Sequence, residues 1–124
     1  EARAEKLAEQ LAETIGGAVS VGRWDERAAH LASAKLLVNC TTQGMQGQPA
    51  LDLVLDDLPA GAVVMDAVYT PLLTPLLADA QARGHQIVDG LGMLLHQARP
   101  GFAAWFGQEP VVDQALRDHV LADL

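Results

Sequence analysis

The chain has 124 residues, half of them hydrophobic, enough to bury one core, and one domain or a piece of one is expected at this length. Sixteen acidic against eight basic side chains give a formal charge of −8, which repels a phosphate backbone and argues against nucleic acid as a partner. No apolar run reaches the roughly 18 residues a membrane span needs, and the opening EARAEKLAEQLAE is charged and amphipathic rather than a signal peptide, so the expected setting is cytoplasmic.

Residues 1–15 read as a helix of strong helix formers with Leu7, Leu11 and Ile15 on one stripe, stopped by Gly16 and Gly17. The periodicity is already running at Glu1 without a cap, as expected of part of a longer protein. AVSVG, 18–22, reads as a short strand, Asp25 as the cap of a helix over 27–34, and KLLVNCT, 35–41, as a strand buried on both faces. Cys40 is then a small core residue; a lone cysteine has no internal disulfide partner. A turn or short helix is expected at 51–58 and a second buried strand at AVVMDAV, 62–68. Thr74 is the expected N-cap, and Pro75 the first residue, of a helix ending at Gly84. HQIVD is a third short strand, 91–106 a long apolar helix, and Pro110 the start of a last helix with Val112, Leu116, Val120 and Leu124 on one stripe.

Strands alternating with helices at these separations predict an α/β fold, Rossmann-like and doubly wound, with a mainly parallel sheet and helices on both faces. Ligands of such sheets sit beyond the carboxyl ends of the strands, which directs attention to the segments after Val38, Val64 and Val88. Each carries unusual polar or small residues: Asn39, Thr41 and Thr42; Asp66 and Tyr69; Asp89, Gly90 and Gly92. Asn39 and Thr41 can satisfy loop backbone, Asp66 can cap a turn, and the glycines can make a tight turn. The glycines also leave main chain bare for a flat ring or an anion. Gln97, two turns beyond Gly90, offers an amide that both donates and accepts; a buried structural glutamine is the plainer reading.

The sequence lacks GxGxxG and GxxxxGK[ST], so the usual phosphate-cradling loop is absent from this chain. His30, His85, His96 and His119 are scattered and no carboxylates stand at metal-ligand spacing, so no metal site is expected. His30, His96 and His119 read as ordinary helix residues.

NCTTQGM (39–45), DAVYTPLLTPLL (66–77) and DGLGMLLHQARPGFAAWFG (89–107), in this order, closely resemble the shikimate dehydrogenase family, over about residues 1–110. The last motif is highly specific. The resemblance implies an NADP-dependent oxidoreductase interconverting 3-dehydroshikimate and shikimate, in which residues 1–110 are an NADP-binding Rossmann-like domain incomplete at its N-terminus and 111–124 a C-terminal helix. It also implies that a substrate domain of the same protein, carrying the catalytic Lys and Asp, is missing from this chain. No catalytic residue is then expected here.

By position, the resemblance makes Asn39, Thr41, Ala67, Gly90 and Met93 cofactor-binding and Tyr69 and Gln97 substrate-binding. Cys40 stands where the family usually has Ala, and Thr70 where Asn is common. A relative acting on quinate, with NAD or NADP, is an alternative. A non-catalytic Rossmann remnant serving as a binding module is another, disfavoured because all three motifs persist.

Overall fold

The computed structural model describes residues 2–124; Glu1, the first residue of the expected N-terminal helix, lies outside the described residues. Helix α1 (Ala2–Ile15) ends where Gly16 turns to φ 66° and donates its N–H to the Ala12 carbonyl at 3.0 Å. None of its residues is buried.

The expected strand at 18–22 does not form. A strand needs a neighbouring edge to take its main-chain groups, and no strand of the sheet pairs with this segment. Asp25 does not cap the following helix either: it sits inside a 3₁₀ turn (Trp24–Glu26), and both its oxygens accept from Arg23 at 3.0 Å. Helix α2 (Arg27–Leu31) is correspondingly short, and only Leu31 of it is buried.

Three parallel strands, β1 (Leu36–Asn39), β2 (Val63–Asp66) and β3 (Gln86–Val88), lie side by side in chain order. Their register pairs Leu37 with Val64 and Val64 with Ile87, so these three point to one face. Against that face pack Leu31 of α2 and Leu76, Leu77 and Ala80 of α3 (Pro75–Ala82). The connection from β1 to β2 contains no helix; instead Leu51, Leu53, Leu55 and Leu58 drop into the same core. Burying a leucine as completely as Leu55 or Leu77 stabilises the fold by roughly 1.5–3 kcal/mol.

The strands were expected to be buried on both faces, and β1 is not. Leu36 is 57% exposed and Val38 and Val88 are also exposed on the face opposite Val64. The apolar run therefore reads correctly as a strand, and within this chain it is covered on one face only, by α2 and α3. Cys40 follows the same logic. With Asn39 turned inward and buried, its successor points outward, and Cys40 is an exposed free thiol rather than a core residue.

Thr74 caps α3 as expected, its hydroxyl accepting from the Leu77 N–H at 3.3 Å, with Pro75 in the first turn. Gly84, at φ 84°, turns the chain out of α3 into β3. Helix α4 (Gly90–Phe106) starts on Asp89, whose carboxylate accepts from the Leu91 N–H at 3.1 Å, and ends on Gly107 at φ 67°. Pro100 lies inside it and leaves the His96 carbonyl without the helical donor it would otherwise receive. The last helix, α5 (Gln114–Leu121), starts later than Pro110 because Asp113 provides the cap, accepting from the Leu116 N–H at 2.9 Å. Among the described residues no helix is long and apolar enough to cross a membrane.

Candidate functional site at the carboxyl edge of the sheet

Asn39, the last residue of β1, is buried and fully engaged. Its amide nitrogen donates to the Gln43 carbonyl at 3.1 Å and to Asp66 Oδ1 at 3.0 Å. Its amide oxygen accepts from the Thr41 N–H at 3.0 Å and the Thr41 hydroxyl at 2.7 Å. Thr41 in turn accepts from the Gln43 N–H at 3.1 Å. The loop leaving β1 is thus folded around one amide, which orients Thr41 at the surface. Both ends of the Asn39 amide are used, so neither an aspartate nor a leucine could replace it without losing partners.

The exit of β2 is held from the same point. Asp66 is completely buried, accepts from the Val68 N–H at 3.0 Å through Oδ1, and accepts from the Thr74 hydroxyl at 2.7 Å through Oδ2. Ala67, Val68 and Tyr69 follow directly, with Ala67 and Tyr69 half-buried. Thr41, Thr42, Met45, Ala67, Val68, Tyr69 and Thr70 line a cavity of about 250 Å³ between the two strand exits.

Gly90 packs directly on the β2 exit. A Cβ placed there would lie 2.4 Å from the Ala67 carbonyl oxygen and 2.6 Å from that of Val68, both main-chain atoms, so only glycine lets α4 start against the β2 exit. Gly90 was expected to be bare main chain open to a flat ring; it is buried. Gly92 is the open one: a Cβ there would have nothing within 4 Å of it. From Gly90, Met93 and Gln97 follow at three and seven residues, on one helix face. Met93 is 40% exposed and Gln97 is exposed as well, so the plainer reading of a buried structural glutamine does not hold.

Asp89 does more than precede a glycine. Besides capping α4 it accepts from Arg117 of α5 at 2.6 Å, both side chains being one-quarter exposed, so α5 braces the start of the helix that carries Met93 and Gln97.

No protein-family model matches the chain. It is 58% identical over 120 residues to a shikimate dehydrogenase (NADP(+)) of Paramagnetospirillum magneticum, covering 97% of this chain and 44% of that protein. It is 57% identical over 119 residues to the corresponding protein of Rhodospirillum rubrum, covering 96% of this chain and 42% of that one. The chain belongs to the shikimate dehydrogenase family. It spans less than half the length of the curated relatives it matches.

Solved structures agree with the family's fold. Quinate dehydrogenase from Corynebacterium glutamicum, in complex with NAD, superposes with a TM-score of 0.84 at 33% identity, over 98% of this chain and 43% of that one. A shikimate dehydrogenase from Thermus thermophilus, in complex with NADP(H) and shikimate, gives 0.66 at 33% identity, over 86% of this chain and 38% of that one. The partial, mainly parallel Rossmann-like architecture expected of a shikimate dehydrogenase relative is therefore the one observed.

Of the seven residues singled out in the sequence, Asn39 and Thr41 stand in the β1 exit, Ala67 and Tyr69 in the β2 exit and Gly90 against that exit, while Met93 and Gln97 follow Gly90 along one face of α4. Sequence reasoning undervalued Asp66 and Thr74, taking one as a turn cap and the other as a helix cap. The available signal was an acidic residue ending an apolar strand eight residues before a Thr-Pro helix start; nothing in it says that the two meet.

Proposed function

We propose that this chain supplies the cofactor-side wall of the active site of an NADP-dependent shikimate dehydrogenase, which reversibly reduces 3-dehydroshikimate to shikimate in the cytoplasm. The observation that carries the reading is the convergence of the β1 exit, the β2 exit and the Gly90–Gln97 face of α4 at one edge of the sheet. Relatives 50–58% identical to the chain bear that enzyme's name. The unmatched part of those relatives leaves room for a substrate domain on the same protein, which would complete the cleft.

The wall fits a nicotinamide. Met93 offers a half-exposed apolar side chain on the helix face that Gly90 begins, and the cavity between the strand exits is lined by small and hydroxyl-bearing groups. Thr41, Ala67 and Met93 would hold that end of the cofactor, with Asn39, expected to bind it directly, instead fixing Thr41 from beneath, and Gly90 fixing the distance between α4 and the β2 exit. The cofactor, when bound, supplies the hydride. Tyr69 and Gln97 would orient the cyclic hydroxy acid from this side, the amide pairing with ring hydroxyls as donor and acceptor at once. Holding ketone and hydride donor in register is the contribution this chain can make to the barrier, since proton transfer requires a group from elsewhere.

The deciding experiment is shikimate-dependent reduction of NADP+, followed by absorbance with the full-length protein, repeated with quinate and with NAD+. Activity on shikimate with NADP+ well above the other combinations is expected, and its absence sinks the reading. Gln97→Ala should raise KM for shikimate by an amount corresponding to about 1–3 kcal/mol, because a desolvated hydroxyl loses its partner. An unchanged KM would remove Gln97 from the substrate site. A second reading, a quinate dehydrogenase using NAD, is favoured by the structural likeness to the Corynebacterium glutamicum enzyme and would show as the opposite preference in the same assay.

A further inference from the structure

Asp66 stands out among the buried groups because it is a fully buried carboxylate surrounded by donors that carry no formal charge. Oδ1 takes the Asn39 amide and the Val68 N–H, and Oδ2 takes the Thr74 hydroxyl. Three separate segments therefore meet on one side chain: the end of β1, the chain leaving β2, and the start of α3. Asp66 does not line the cavity; Ala67, Val68 and Tyr69 immediately after it do.

We propose that Asp66 is a positioning residue for the nicotinamide end of the cofactor, acting through the Ala67–Val68 main chain, a role that rests on the functional reading above. Its bond to the Val68 N–H fixes the peptides on which Gly90 packs, with no slack for a methyl group between them. The wall of the cavity and the start of α4 are thus both referred to one carboxylate. An amide substitutes for it only with the loss of a bond. Turning Asp66 into Asn replaces one oxygen by a donor, which then faces either the Val68 N–H or the Thr74 hydroxyl. At Val68 donor would meet donor; at Thr74 the hydroxyl, which already accepts from the Leu77 N–H, would have to accept from the amide as well, leaving its own proton without the acceptor it now has.

The test uses the full-length protein and two probes titrated by protein fluorescence: NADP+, and 2′,5′-ADP, which has the adenosine half without the nicotinamide. Asp66→Asn should weaken NADP+ about tenfold, the size expected for one buried bond lost, while leaving 2′,5′-ADP within about twofold. Thr74→Val, which removes the hydroxyl alone, should act in the same direction, and Thr74→Ser, which keeps it, should bind both probes as wild type does. The Thr74 pair decides the matter if Asp66→Asn does not fold. Equal losses for both probes would mean a merely structural role and overturn the proposal, as would NADP+ affinity unchanged in Asp66→Asn or in Thr74→Val. A wild-type protein that does not bind NADP+ would instead overturn the functional reading, and this assignment with it.

Discussion

The two ends of α4 differ sharply in how they are held. Its first residues, Gly90 and Leu91, are buried, locked onto the β2 exit by a contact that excludes any side chain and braced by the Asp89–Arg117 pair. Its last turns carry Phe102 and Phe106, with ring centroids 4.6 Å apart, and Trp105, which is 81% exposed. Polar networks and tight main-chain packing are concentrated where the strand exits meet, whereas large apolar side chains remain uncovered at the far end. The helix thus resembles an arm whose root is fixed against the β2 exit. Met93 and Gln97 project from the part nearest that root, which is where position is best controlled.

The contrast is broken most severely at Gly90. Gly90→Ala puts a methyl group into the Ala67 and Val68 carbonyls, and because the obstacle is main chain the helix or the strand exit must move. A loss of about 3 kcal/mol, at the upper end of overpacking costs, is expected in chemical unfolding of the full-length protein. Gly92→Ala is the matched control. With nothing within 4 Å of the new methyl and alanine the better helix former, it should leave stability unchanged or raise it by up to about 1 kcal/mol. Equal destabilisation by the two would refute the claim that Gly90 alone is the wedge.

The brace comes next in size. Asp89→Ala removes both the cap on α4 and the partner of Arg117, for an expected loss of about 2 kcal/mol, whereas Arg117→Ala removes only the ion pair, for roughly 0.5–1 kcal/mol. The Arg117 effect should shrink in high salt and the cap effect should not. If the two substitutions cost the same, the cap contributes nothing and the Arg117 pair is all that Asp89 adds to the start of α4.

Much of this was legible in the sequence because it is local. Thr74 before Pro75, Gly84 after a helical run, and apolar runs of strand length predict α3, β2 and β3 within a few residues, and three motifs at strand ends predict one edge. What was not legible depends on neighbours. AVSVG has strand composition but pairs with no strand within this chain, and Cys40 has core composition but follows an inward-facing Asn39. The two glycines opening α4 look alike in the sequence, and only the β2 exit distinguishes the buried one from the open one. Asp66 was equally opaque, because its partners lie 27 residues before it and eight after it.

The smallest effect is expected at the far end of α4, where it is also the most informative about that end. A tryptophan as exposed as Trp105 has lost little contact with water, so Trp105→Ala in the 124-residue chain should change unfolding free energy by no more than about 0.5 kcal/mol. The same substitution in the full-length protein asks whether the uncovered aromatic surface acquires a neighbour there. A cost that rises to about 3 kcal/mol, the level of burying and then deleting a large aromatic, would show that the rest of the polypeptide packs on Phe102, Trp105 and Phe106. The root and the tip of α4 would then both be anchored, by different parts of the protein. A cost that stays near zero would leave the tip free, and the placement of Met93 and Gln97 would rest on Gly90, Asp89 and Arg117 alone.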